Sequence, residues 1–555
     1  MNGATNMHSL TQRLPAIALV SALAIATLFA CTKRQSDDPS ESTAGIDSPS
    51  VSVLRRGNLA EPTTLDPAQA EGLTTNNVMR DLFEGLLRES RDGEREPGVA
   101  ASWEILDDGK TYLFQLREDA RWSNGDPLVA EDFAASFRRT LDPATNSTYA
   151  SSLAPIVNAT AVMAGELPPT ALGIAATDTH TLEIRLESPT PYFLNLLLTP
   201  PTFPVHRASL AEHGDAHSRP DRLVSNGAYR VVSWRIGDRL VAEKNPHYWD
   251  ADSVAIDRVE FLPIEDATTE LTMFQAGELD ITSRVPSSKM DQLKESYPAQ
   301  LEISPSLGTY FIGIDTTEPP LDDVRLRKAL SIAIDRDALT SVVLSGTNPG
   351  AYAFVPTAML GYDNYEYAWQ QLPRDEQLDM ARALYAQAGY SEAQPLRIQL
   401  LYNTSDNHRK IMLAVQDMLR KNLGVDASLV NQEWKVMLQT RKDFAAWDLI
   451  RFGWNGDYPD ANNFLEVFRG NNSLNVSGWA NETFDTLLDQ AGKEIDSQQR
   501  AALLREAEQV LLDAYPMIPL YFYTSKHLVS ERVEGFNANI MDRVYTRHMT
   551  LADND

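Results

Sequence analysis

The chain has 555 residues, 43 % hydrophobic and 23 % charged, with a formal net charge of −28 and one cysteine. A surface this acidic argues against nucleic acid and anionic lipid as partners. One cysteine excludes an internal disulfide, and the length is too great for one core and fits two or three lobes.

In chain order, the first predicted element is an export signal over residues 1–30. It has a polar start with Arg13, then an apolar run from Leu14 to Ala30, at the short end for crossing a bilayer and typical of a signal peptide. The run closes on Leu28-Phe29-Ala30-Cys31, which resembles a lipobox, with Phe29 bulkier than that motif usually has. Cys31 is therefore expected to be lipidated and to anchor the body to a membrane without a transmembrane helix. Residues 31–50 are rich in Ser, Asp and Pro. They read as a flexible tether with a reach of roughly 25 Å.

The body mixes strands and helices. Lys110–Arg117 alternates in polarity after the turn at Asp107-Asp108-Gly109, and Thr181–Leu186 and Ser225–Trp234 read the same way. Helical spacing appears at Leu326, Ala329, Leu330 and Ala333, and again at Ala381, Leu384, Tyr385 and Ala388 before Gly389. It recurs at Ile411, Ala414, Val415, Met418 and Leu419, closed by Gly424, and over Arg500–Ala514 before Pro516. Residues 448–463 combine an apolar strand-like start, the pair Gly453-Trp454 and then Asp457. Such a segment can hold one carboxylate beside an aromatic wall at a cleft, where its natural ligand is a protonated amine.

Catalytic chemistry is not written here. No nucleophile elbow and no zinc helix occur. Gly109-Lys110-Thr111 lacks the upstream glycine of a phosphate loop, where Glu104 stands. His213 and His217 are four apart without a third ligand and read as solvated surface residues. Acidic pairs such as Asp322-Asp323 read as helix starts. No catalytic residue, metal or cofactor is expected.

From about residue 54 to 540 the chain resembles the oligopeptide-binding proteins of bacterial peptide ABC importers (extracellular solute-binding family 5). The matching segments, in order, include Glu61–Pro67, Asp81–Leu86, Trp122–Asp126, Asn226–Tyr229, Lys244–Trp249, Gly277–Asp280, Asp323–Leu330, Tyr402–Asp406, Asn431–Trp434 and Gly453-Trp454. The resemblance implies an α/β, two-lobed periplasmic-binding-protein fold of the large peptide-binding type. Its first lobe would comprise 51–83, 208–309 and 525–555, with an additional subdomain at 84–207, and its second lobe 310–524. Arg325 and Arg327 are expected to bridge neighbouring carboxylates.

A receptor for peptides of varied sequence must grip the ammonium end, the backbone and the carboxylate end. The resemblance assigns the amine to a buried Asp457. It gives backbone contacts to Gly453, Trp454, Glu71, Gly72, Leu73 and Tyr149, with Gly72–Leu73 lining an edge strand and Gly453 admitting the ligand backbone. It gives the carboxylate to His408, Arg441 and Arg451, with His408 either protonated or donating from one ring nitrogen. It further implies short peptides as ligands, permease and ATPase subunits of an ABC importer as partners, and a monomer that is periplasmic, lipid-anchored and not an enzyme. The alternatives are a muropeptide, nickel or haem on the same fold, a secreted hydrolase, and an adhesin or signalling lipoprotein.

Overall fold

The computed structural model describes residues 51–552. The expected signal, Cys31 and tether lie outside the described residues. Three sheets organise the body. A five-stranded sheet has the order Asp426–Gln432, Arg397–Asn403, Leu449–Asn455, Leu301–Ile314, Met517–Leu528. Its first three strands run parallel, as in α/β layers, and the last two are antiparallel additions. One four-stranded sheet joins Val53–Gly57, Arg258–Leu262, Arg239–Lys244 and Tyr229–Arg235, and another joins Ala100–Leu106, Thr111–Leu116, Thr181–Arg185 and Ile174–Ala176.

The cores follow the sheets only in part. The five-stranded sheet sits in a core running from Leu307 to Phe522. Both four-stranded sheets share one core, in which Leu54, Val259 and Phe261 join Phe114, Phe133 and Ile184. The segment 84–207 thus has its own sheet but no separate core. A small third cluster holds Leu262, Leu271, Phe274, Leu279, Leu293 and Leu528. Leu301–Ile314 and Met517–Leu528 start and end at this cluster and run into the large core.

The expected elements are present at slightly different limits. The helix Asp406–Leu423 shows why. Ser405 accepts from the His408 amide, Asp406 lies in the first turn, and Gly424 closes it at φ 76°. Ile411, Met412, Val415 and Leu419 are buried along its inner face. That start fixes His408 in the first turn, beside the sheet. The other two interior helices are Val324–Ala333 and Arg374–Gln387, and the last is Ser497–Ala514.

Three expectations need correction. The strand read from Ser225 begins only at Tyr229, because Asn226 bonds both backbone groups of Glu84 and Gly227 lies against the backbone of Leu82-Phe83. His217 is buried, not solvated. It is 3 % exposed, with Nδ1 on the Gly214 carbonyl and Nε2 3.9 Å from Asp66. Arg325 pairs with Asp323, but Arg327 bonds the carbonyls of Leu321, Asp322, Ala514 and Tyr515, tying a helix start to a helix end rather than meeting a carboxylate.

Candidate functional site

The strand Leu449–Asn455 carries the site. Directly paired antiparallel residues share a face of the sheet, and neighbours along a strand alternate. Tyr310 pairs with Gly453, and Ile312 with Arg451. Arg451, Gly453 and Tyr310 therefore share one face, and Phe452 and Trp454 the other.

Arg451 is 9 % exposed. Its guanidinium lies 4.4 Å from the centre of the Tyr310 ring, with Nη1 donating to Asn403 at 3.1 Å and Nη2 to the Tyr523 hydroxyl at 3.4 Å. Among the described residues no carboxylate pairs with it, and its buried Nε has no hydrogen-bond partner. A buried cation held only by neutral groups is poised for an incoming anion. His408 stands alongside, with Nδ1 3.2 Å from the Tyr310 hydroxyl. Burial first, and the charge of Arg451 second, push its pKa down to about 4. The imidazole is therefore neutral near pH 7 and able to donate from one ring nitrogen. Arg441 is not part of this group. It is half-buried over the ring of Phe452, 5.3 Å from its centre, on the opposite face of the strand. Burial lowers its pKa.

Asp457 follows the strand at the other end. The structure corrects one expectation here: the residue is exposed, not buried. Surrounding protein still raises its pKa, against the opposing effects of a side-chain hydrogen bond from Asn463 and the charge of Arg543. Asn463 organises the corner. Its Oδ1 accepts from the Trp454 indole and the Asp457 amide, both at 3.1 Å. Arg543, paired with Glu89 at 2.6 Å, donates to the Asp457 carbonyl at 3.4 Å.

Across the groove, Glu71 accepts from the Thr148 hydroxyl at 3.3 Å. The Tyr149 phenol has its pKa raised by burial and then by the charges of Asp457 and Glu71, which places all three within electrostatic reach. Gly72 and Leu73 are not in an edge strand. They open the helix Gly72–Leu82, Gly72 at φ 75° and Leu73 54 % exposed. The positive φ turns the chain straight from Glu71 into a helix, leaving first-turn amides without intrahelical partners.

Gly453 also has a reason other than the one expected. A β-carbon there would overlap the Tyr523 hydroxyl, so in the empty groove the glycine makes room for Tyr523. Asn463, Asn403, Tyr310, Tyr523 and Arg543 were missed by sequence reasoning. Only the alternation of Tyr521 and Tyr523 in a predicted strand could have hinted at them. A cavity of about 1470 Å³ between Ile105–Tyr112 and Ser497–Gln509 contains none of these residues. No group of His, Cys, Asp and Glu among the described residues could hold a metal, and no helix is long and apolar enough to cross a membrane.

A mixed α/β body, with a buried guanidinium on one strand and an exposed carboxylate just after it, is the setting in which the comparisons with known proteins fall. Residues 94–475 match the family described as bacterial extracellular solute-binding proteins, family 5. The chain belongs to that family. It is 38 % identical over 549 residues to the periplasmic oligopeptide-binding protein OppA of Escherichia coli, covering 98 % of this chain and 99 % of the relative. The murein tripeptide-binding protein MppA in its unliganded open form superimposes with a TM-score of 0.84 at 38 % identity, covering 91 % of this chain and 98 % of that one. A second structure of MppA, from Escherichia coli, gives 0.73 at the same identity, covering 91 % and 99 %.

Proposed function

We propose that this protein captures short peptides outside the cytoplasmic membrane, unchanged, and delivers them to a peptide ABC importer. One observation carries the reading: a single strand bears an unpaired guanidinium, Arg451, near one end and leads into an exposed carboxylate, Asp457, at the other. The two are separated by on the order of 20 Å of backbone, less the reach of the arginine, which suits a zwitterion a few residues long. Gly453 and Trp454 between them would contact the ligand backbone, and Glu71, Gly72, Leu73 and Tyr149 would close over it from the other side. His408 would join Arg451 on the carboxylate, and Arg441 would serve longer ligands.

In this reading 51–83, 208–309 and 525–555 form lobe I, 84–207 its added subdomain, and 310–524 lobe II. Support comes from the two long strands, which run from the five-stranded sheet to the small cluster that also holds Leu262 of a four-stranded sheet. The 31–50 tether would hold a monomeric body near the importer through lipid on Cys31.

Calorimetry with trialanine, its N-acetyl form and its C-terminal amide tests the proposal. Free trialanine should bind, and blocking either end should weaken binding at least 30-fold. Equal binding of all three would overturn the reading. A murein tripeptide shares the charged ends, and titrated alongside it would decide which peptide class is preferred.

A further inference from the structure

The two strands that connect the lobes are irregular at one place. Pro305 pairs with Thr524 and Thr309 with Phe522, so the three residues Ser306, Leu307 and Gly308 stand opposite the single residue Tyr523. A register break of this kind is where a paired ribbon bends most easily.

The break touches both ends of the groove. On one side, the Tyr523 ring occupies a slot between two glycines: a β-carbon on Gly308 would overlap the ring, and one on Gly453 its hydroxyl. That hydroxyl accepts from Arg451 at 3.4 Å, and the ring meets Tyr310 edge-on, centres 6.4 Å apart. On the other side, the Leu307 carbonyl accepts from the amide of Gly456, the neighbour of Asp457, at 2.8 Å, and the Leu307 amide donates to Ile540 at 2.7 Å. A bend at the break therefore cannot occur without moving the groups around Arg451 and Asp457.

We infer that Tyr523 is a positioning residue that couples the charged groove to the angle between the lobes. Its hydroxyl holds Arg451 in the empty receptor while its backbone forms the pivot, so an anion that takes Arg451 also releases the pivot. The inference rests on the peptide reading for its ligand but not for the coupling itself, which exists in the empty protein.

The test uses the full chain with Cys31→Ser and two dyes on Ile236→Cys and Asp379→Cys, read by single-molecule energy transfer with and without trialanine. Tyr523→Phe keeps the ring and removes only the hydroxyl. It should broaden the distribution of lobe separations in the unliganded protein. With trialanine it should leave the closed fraction at saturation at the parent's value and raise the affinity, by about 3–10-fold for one weak hydrogen bond to a charged group that the ligand no longer has to displace. In an Arg451→Ala background the same change should have no further effect on lobe separation. An unliganded distribution equal to the parent's, or a lowered affinity for trialanine, would overturn the coupling; the latter would make Tyr523 a simple ligand contact. If trialanine fails to bind the parent, the peptide reading falls while the unliganded arm still judges Tyr523.

Discussion

The two ends of the groove are built differently. The end proposed to take a carboxylate is complete within one layer: Arg451, His408, Tyr310, Tyr523 and Asn403 come from neighbouring strands of one sheet and the helix packed on it. The end proposed to take an amine is divided. Asp457 comes from that same layer, but Glu71 and Tyr149 come from the segment whose core is shared with the four-stranded sheets. On the proposed reading, one end is organised in advance and the other is assembled from two segments. A receptor built that way would bind tightly only on closing, so that its closed form would report occupancy.

The sharpest way to break this comparison is Asp457→Asn. Removing one partner of a charge pair that becomes desolvated costs about 2–5 kcal/mol, so trialanine affinity should fall by a factor of 30 or more, and N-acetyl trialanine should then bind the variant no worse than it binds the parent. Arg451→Ala should cost slightly less, about 2–3 kcal/mol, seen calorimetrically with free trialanine and absent with the C-terminal amide. Asn463→Ala frees both Trp454 and Asp457 and should weaken binding by about 10-fold, with thermal stability changed by little. Arg441→Ala, on the other face of the strand, should leave tripeptide affinity within about 3-fold.

A pH dependence of stability adds an effect of intermediate size. The folded pKa of His408 is depressed to about 4, against about 6.5 in an unfolded chain. The unfolded state then binds a proton that the native state does not. The contribution is intact above about pH 6.5 and is lost as the pH falls toward 4. Because the ring is only half-buried, about 1 kcal/mol is expected after allowance for solvent screening. Urea titrations at pH 7 and 4.5 should show His408→Gln losing less stability on acidification than the parent. Bound trialanine, bringing a carboxylate to the ring, should oppose the loss.

The helix at 406–423, its glycine stop and the strand leading into Gly453-Trp454 were legible because period, caps and turn residues are local. The position of Asp457 after that strand was legible for the same reason. The approach of Tyr149 to Asp457, more than 300 residues away in sequence, was not, since no local pattern encodes it. His217 looked solvated because its sequence neighbours are polar, yet the fold buries it against Asp66. Gly453 invited a ligand explanation because the residue that fills its space, Tyr523, arrives from 70 positions away.

By itself the sequence determined the elements, the acidic surface and, through many ordered motifs, the family. Those depend on short-range periodicity and composition, which survive in one dimension. The tertiary structure decided which charges face each other, that Arg451 has no carboxylate partner among the described residues, and where the two long strands break register. Those are properties of register and burial, and they exist only once distant segments share a sheet and exclude water together.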